Sequence, residues 1–186
     1  FRNVSFNPHG NGTHTECVGH ISYETYNILD CLQEHFMLAQ VVSVFPQEMN
    51  GDLVMFKEQF EGKIQDGVTA IVIRTMPNLE TKKNINYSAT NPSYLDIEAT
   101  KYIRNFGIDH LLIDLPSIDR EEDGGQLVSH HAFWEYPENT QNHRTITELI
   151  FVQDAVKDGL YLMNLQTAAF ENDATPSRPI LYPIIL

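Results

Sequence analysis

The chain has 186 residues, 42% of them hydrophobic and 20% charged, which suits one globular domain spanning 1–186 with a sizeable buried core. Acidic residues outnumber basic ones 25 to 12, for a formal charge of -13. No Lys/Arg cluster interrupts that background, so nucleic acid and anionic membrane are excluded as expected partners.

The longest apolar runs, 68-VTAIVI-73 and 180-ILYPIIL-186, fall short of the ~20 residues of a membrane-spanning helix. Two cysteines, Cys17 and Cys31, cannot form a disulfide framework, and a reducing, cytoplasmic setting is expected.

In chain order, 1-FRNVSF-6 has a strand-like pattern and starts without an initiator Met, so an upstream segment is expected. The Gly- and His-rich stretch 7-NPHGNGTHTECVGH-20 has neither helical nor strand periodicity and reads as a loop. Weak helical spacing covers 22–35, and 36-FMLAQVVSVF-45 is a β-branched strand stopped by Pro46. A short strand, 52-DLVMF-56, precedes a short amphipathic helix, 57-KEQFEGKIQ-65, closed by Gly67. The run 68-VTAIVIRT-75 is apolar without alternation, the pattern of a strand covered on both faces.

A long polar loop, 76–93, leads to a helix over 94–106 capped by Ser93 and ended by Gly107. The strand 110-HLLIDL-115 completes a strand–helix–strand unit. A second polar loop, 116–131, carries His130 and His131. The late segments 146-ITELIF-151, 159-GLYLMNL-165 and 180-ILYPIIL-186 read as strands, the first also compatible with a helix.

Chemistry concentrates in the first loop. His9, His14 and His20 fall within twelve residues, with Glu16 between the last two. Two imidazoles and a carboxylate suit zinc and similar divalent ions and leave coordination positions for water. Cys17 is either a soft ligand or a buried bystander, and alternation favours the bystander. His35, His110 and His143 lack companions at ligand spacing and are expected to be structural. His131 is either a support for a neighbouring ligand or simple packing. Asp114, Ser117 and Asp119 could support a metal loop or form an ordinary turn. There is no Gly-x-Ser-x-Gly elbow and no phosphate-binding glycine loop.

The stretch 10-GNGTHTECVGH-20 resembles the His-x-Gly-Thr-His-x-Asp-x-Pro-x-His signature of the metal-dependent cyclase or kynurenine formamidase-like (arylformamidase) hydrolase family. Further similar elements follow in the family's order: 70-AIVIRT-75, 112-LIDLPSID-119, 129-SHHAFW-134 and Glu148 within 147-TELI-150.

The resemblance implies a mixed α/β fold with a barrel-like β-sheet core flanked by helices, of the swivelling β/β/α type. It also implies two divalent metal ions, zinc first and manganese second. By position, His9 and His14 would hold one ion, His130 the other, and Glu16 and Glu148 would share them, with His20 as proton donor and acceptor. The implied activity is cleavage of an amide bond, in an aryl formamide or a cyclic amide, by metal-activated water. The same ligands would serve a non-catalytic metal- or small-ligand-binding member or a polyketide-type cyclase. A small-molecule substrate and a homodimer or homotetramer are the partners implied.

The chain departs from the signature in three places. His9 and His14 are five residues apart, where the family has four; Glu16 replaces Asp; Val18 replaces Pro. The family's first ~40–50 residues, including an aromatic substrate contact, have no counterpart.

Overall fold

The computed structural model describes residues 1–184. Its strands are β1 (His14–Glu16), β2 (Phe36–Val44), β3 (Gln47–Met49), β4 (Asp52–Met55), β5 (Ala70–Thr75), β6 (Tyr94–Leu95), β7 (His110–Ile113), β8 (Thr145–Glu148), β9 (Gly159–Asn164), β10 (Ala174–Pro176) and β11 (Ile180–Pro183). The α-helices are α1 (Ile28–Cys31), α2 (Ile97–Asn105) and α3 (Val128–Trp134). Eight strands form one curled mixed sheet in the order β10-β1-β8-β7-β5-β2-β9-β11. Its centre, β8-β7-β5-β2, is parallel, and the pairings on either side are antiparallel. The strands β3, β4 and β6 make a small second sheet.

The non-alternating run of β5 is explained by cover on both sides, since all six of its residues are buried. Ile71 and Ile73 face one apolar cluster with Ile103 of α2 and with Phe133 and Trp134 of α3. Ala70 and Val72 face a second, with Ile28, Met37 and Met163. Burial of this kind contributes roughly 1.5–3 kcal/mol for each large apolar side chain.

Several boundaries differ from those the sequence predicts. Among the described residues, 1–6 pair with no strand: Phe1 and Val4 are exposed, and Phe6 stacks on Phe170 instead. The helix expected over 22–35 is a single turn, α1, and the one over 57–65 is a 3-10 turn at Lys57–Gln59. Ser93 caps nothing, because Tyr94 and Leu95 pair with Val54 and Met55 and helix α2 starts later. Asp96 is the cap, accepting from the Glu98 backbone N–H at 2.8 Å. The loop 116–131 ends inside α3, and 7–20 contains β1. In the C-terminal run 180–186, β11 covers Ile180–Pro183; positions 185 and 186 lie outside the described residues.

Candidate metal centre

The short strand β1 sits between β10 and β8, with His14 opposite Pro176 on one side and Glu148 on the other. Residues two apart on a strand share a face. His14 and Glu16 therefore point the same way, while Thr15 points to the other face and bonds Thr147 and Ser177. Glu148, at the end of β8, joins them through the register. A strand, rather than the loop the sequence predicts, makes these side chains converge.

His130 reaches the same place from the first turn of α3. Asp119 anchors that turn: one carboxylate oxygen accepts from Ser129 N at 2.7 Å, the other from His130 N at 3.0 Å and from its ring Nδ1 at 2.6 Å. This leaves His130 Nε2 facing inward, 3.1 Å from Glu16 Oε1 and 3.7 Å from Glu148 Oε1. His14 is fixed in the same manner, with Nδ1 on the Gly12 carbonyl at 2.9 Å. Its Nε2 looks toward Glu148 Oε2 at 3.4 Å and Glu16 Oε2 at 3.8 Å. His9 joins from the preceding loop, with Nδ1 2.9 Å from Glu16 Oε2.

All five residues that the sequence picks out as ligands thus lie together: His9, His14, Glu16, His130 and Glu148. His20 borders them, its ring stacked on His9 with centroids 4.3 Å apart and tilted against His130 at 5.6 Å. His9 and His20 are partly open, with side chains 27% and 30% exposed, whereas the other four are nearly sealed. A cavity of about 400 Å³ opens beside His9 and Asp119, lined also by Tyr87, Pro116, Arg120 and Leu149.

The electrostatics favour positive charge at this spot. Burial works against protonated rings, but the hydrogen bond to Asp173 and the adjacent Glu16 carboxylate raise His9 to about 10. His14 and His130 are raised too, against burial, chiefly by Glu148 and by Asp119. Glu16 is lowered despite burial by His130 and His9, and Asp173 is lowered by His20 and His9.

The donor set fits a divalent ion. His14 Nε2 and Glu16 Oε2 are buried without a hydrogen-bond partner among the described residues, an arrangement that costs ~1–3 kcal/mol per atom unless something fills it. Glu16 Oε2 lies near His9 Nδ1 and yet makes no well-aligned bond to it. Ligand atoms of His9, His14 and Glu16 lie within 4.8 Å of one another, as do those of Glu16, His20 and His130. Imidazole nitrogens and carboxylate oxygens around one point are what zinc and manganese bind.

Of the two alternatives the sequence leaves for Asp119, support of a metal loop or an ordinary turn, the structure gives it the supporting contacts; Asp173 carries no signal in the sequence. Asp173 directly precedes β10, and its carbonyl accepts from Cys17 N at 3.0 Å, continuing the β1–β10 ladder. Its carboxylate lies 2.8 Å from His9 Nε2 and 3.7 Å from His20 Nδ1. Gly19 makes that close approach feasible: a Cβ there would meet the Tyr26 carbonyl oxygen at 2.3 Å and Asp173 Cβ at 3.2 Å.

The remaining candidates have other partners. Cys17 points into the apolar cluster on the far side. His131 bonds the Tyr136 carbonyl, His35 the Leu165 carbonyl, His110 Thr145 and His143 Asp109. Arg74 clamps the 153–158 loop through Gln153 O, Val156 O and Asp158, and Asp114 takes Thr75 and Lys82. These last two are framework contacts near the site.

Comparison with known proteins bears on the fold and the family. Solved structures share the fold: one described as a potential metal-dependent hydrolase with cyclase activity aligns at TM-score 0.70 and 17% identity, covering 96% of this chain and 81% of that one. Isatin hydrolase A from Labrenzia aggregata, bound to benzyl benzoate, aligns at TM-score 0.70 and 14% identity, covering 95% and 74%. An isatin hydrolase bound to the product analogue thioisatinate aligns at 0.65 and 16%, covering 97% and 74%. No curated protein matches the sequence. The cyclase family model matches residues 2–120, more than half of the chain, and with that match the chain belongs to the cyclase family.

Proposed function

We propose that the chain is a metal-dependent hydrolase that cleaves an amide bond, in an aryl formamide or a cyclic amide. The observation that carries this reading is the convergence of His9, His14, Glu16, His130 and Glu148 around buried, unpartnered His14 Nε2 and Glu16 Oε2. Glu16, Glu148, Asp119 and Asp173 bring four negative charges to that cluster, which two divalent ions balance if the imidazoles are neutral. The donor chemistry suits zinc first and manganese second. Divalent ions held there supply Lewis acidity, lowering the pKa of a water and polarising a carbonyl.

The chain's own residues supply the rest. His20 sits at the rim, half-buried, with Nδ1 3.7 Å from Asp173 Oδ2, beyond hydrogen-bonding distance. That setting supports a role in protonating a departing nitrogen, the step that separates amide from ester hydrolysis. The cavity beside His9 offers Tyr87, Pro116 and Leu149 to a planar apolar body, with Arg120 held at its edge by Asp52. The resemblance to isatin hydrolases in fold supports a cyclic amide as the first substrate to try.

The experiment is metal analysis together with turnover of N-formylkynurenine, isatin and simple lactones. Hydrolysis of an amide that stops on chelation and returns with zinc or manganese supports the reading. Metal binding without turnover of any of them favours a non-catalytic member, and ring closure of a polyketide chain favours a cyclase. A homodimer or homotetramer belongs to the same proposal: Phe45, Leu53, Leu79 and Ile85 are exposed around one apolar cavity, a surface that a second copy would cover. A cytoplasmic setting accords with two unpaired buried cysteines.

A further inference from the structure

We propose that Asp173 is a positioning residue that makes His9 offer Nδ1, rather than Nε2, to the metal centre. The inference rests on the metal-dependent reading above and extends it to a residue that lies outside every motif.

Each imidazole facing Glu16 and Glu148 has one nitrogen occupied by an acceptor outside the cluster and the other turned in. For His130 the outer acceptor is Asp119 and the inner nitrogen is Nε2. His14 has the Gly12 carbonyl outside and again Nε2 inside. His9 is reversed: its Nε2 is 2.8 Å from Asp173 Oδ2, and its Nδ1 is 2.9 Å from Glu16 Oε2. A ring nitrogen that donates its proton to a carboxylate leaves the lone pair on the other nitrogen, and this fixes both tautomer and ring orientation.

The reversal accounts for the spacing of the first two histidines. Five residues separate His9 from His14, and the intervening Gly12 takes φ +146, which side chains rarely adopt. The longer excursion brings the His9 ring in sideways, stacked on His20 at 4.3 Å. Nδ1 is the nitrogen nearer the backbone, so an imidazole entering from a lengthened loop reaches inward with it. The Asp173 backbone is bonded to Cys17, one residue from Glu16. The anchor of His9 and the carboxylate it faces are therefore fixed on paired segments and cannot drift apart.

Two measurements test this on the whole chain. The first is a two-bond ¹H–¹⁵N spectrum of the zinc-loaded protein, with His9 assigned through a His9→Gln variant. The expected result is a protonated Nε2 and a zinc-shifted Nδ1 at His9, with the opposite pattern at His14 and His130. The second is zinc affinity in Asp173→Ala and Asp173→Asn. Alanine is expected to weaken one ion by roughly 10- to 100-fold, the usual cost of losing the outer partner of a ligating histidine. Asparagine, whose Oδ1 still accepts from Nε2–H, is expected to stay within a few-fold of wild type.

Zinc on His9 Nε2, or alanine binding both ions as wild type does, overturns the proposal while leaving the metal-dependent reading intact. Equal loss in alanine and asparagine makes Asp173 a ligand and likewise overturns it. A wild-type chain that takes up no zinc overturns both.

Discussion

His20 differs from the other histidines of the cluster in what holds it. His14 and His130 are each locked through Nδ1, by Gly12 and Asp119, whereas the nearest carboxylate oxygen to His20 Nδ1 stands 3.7 Å away. A ring held by stacking against His9 and open on one side can swing to meet a substrate, which a ligand cannot do. Replacing it, His20→Asn, is therefore expected to leave metal content unchanged while amide hydrolysis falls by ~10²–10⁴, the usual contribution of a general acid. The loss should shrink for an activated ester, whose leaving group departs without a proton. Metal analysis and kinetics on the same preparation check this: loss of metal makes His20 a ligand, and unchanged amide turnover removes its proton-transfer role. At this scale the sequence was informative because His9, His14, Glu16 and His20 are close along the chain. Asp173 was hidden because one aspartate in 171-ENDATP-176 has no local pattern, and only the β1–β10 register gives it a role.

Among the elements, the apolar strands β2, β5, β7 and β9 could be read directly from hydrophobic runs, since their side chains meet the core. The strand β1 could not, and the reason is chemical: His14, Thr15 and Glu16 are all buried, but they are buried for bonding rather than for packing. The period-2 signal disappears where function replaces apolar residues with polar ones. For α3, the left-handed Leu127 ahead of it supplies no side-chain cap, and the remote Asp119 bonds its first turn instead, so no start signal is visible nearby. The turn after β1 depends on Gly19, where the Tyr26 carbonyl occupies the space of a Cβ. Backbone must move to admit a methyl there, and overpacking of this kind costs typically ~1–3 kcal/mol. Gly19→Ala is expected to lower the denaturant midpoint accordingly and to weaken metal binding as His20 and Asp173 are pushed apart. A variant as stable as wild type, with unaltered metal affinity, would show that the turn yields freely.

Across the molecule, the chain carries a formal charge of -13 and concentrates its buried charge at one end of the sheet. His110, in the middle of that sheet, is a separate source of pH sensitivity. Burial pushes its imidazole down to about 4, with Asp109 opposing and His143 adding to the effect. Below pH 6.5 the unfolded chain takes up a proton there that the folded chain refuses, so stability falls as pH drops from 6.5 toward 4, by up to on the order of 3 kcal/mol. Above pH 6.5 the ring is neutral in both states and contributes no slope. Denaturation series over that window should show a shallower decline for His110→Asn than for wild type; parallel curves would mean that the folded ring titrates normally.

The sheet order and register bring His14, Glu16 and Glu148 to one place, so the most direct test of a metal centre there locates the ions themselves. Diffraction from crystals grown with zinc, recorded on both sides of the zinc absorption edge, should show two anomalous peaks within bonding distance of His9, His14, Glu16, His130 and Glu148, roughly 3.5–4 Å apart. No peak at that cluster, or ions bound only elsewhere on the surface, would contradict it.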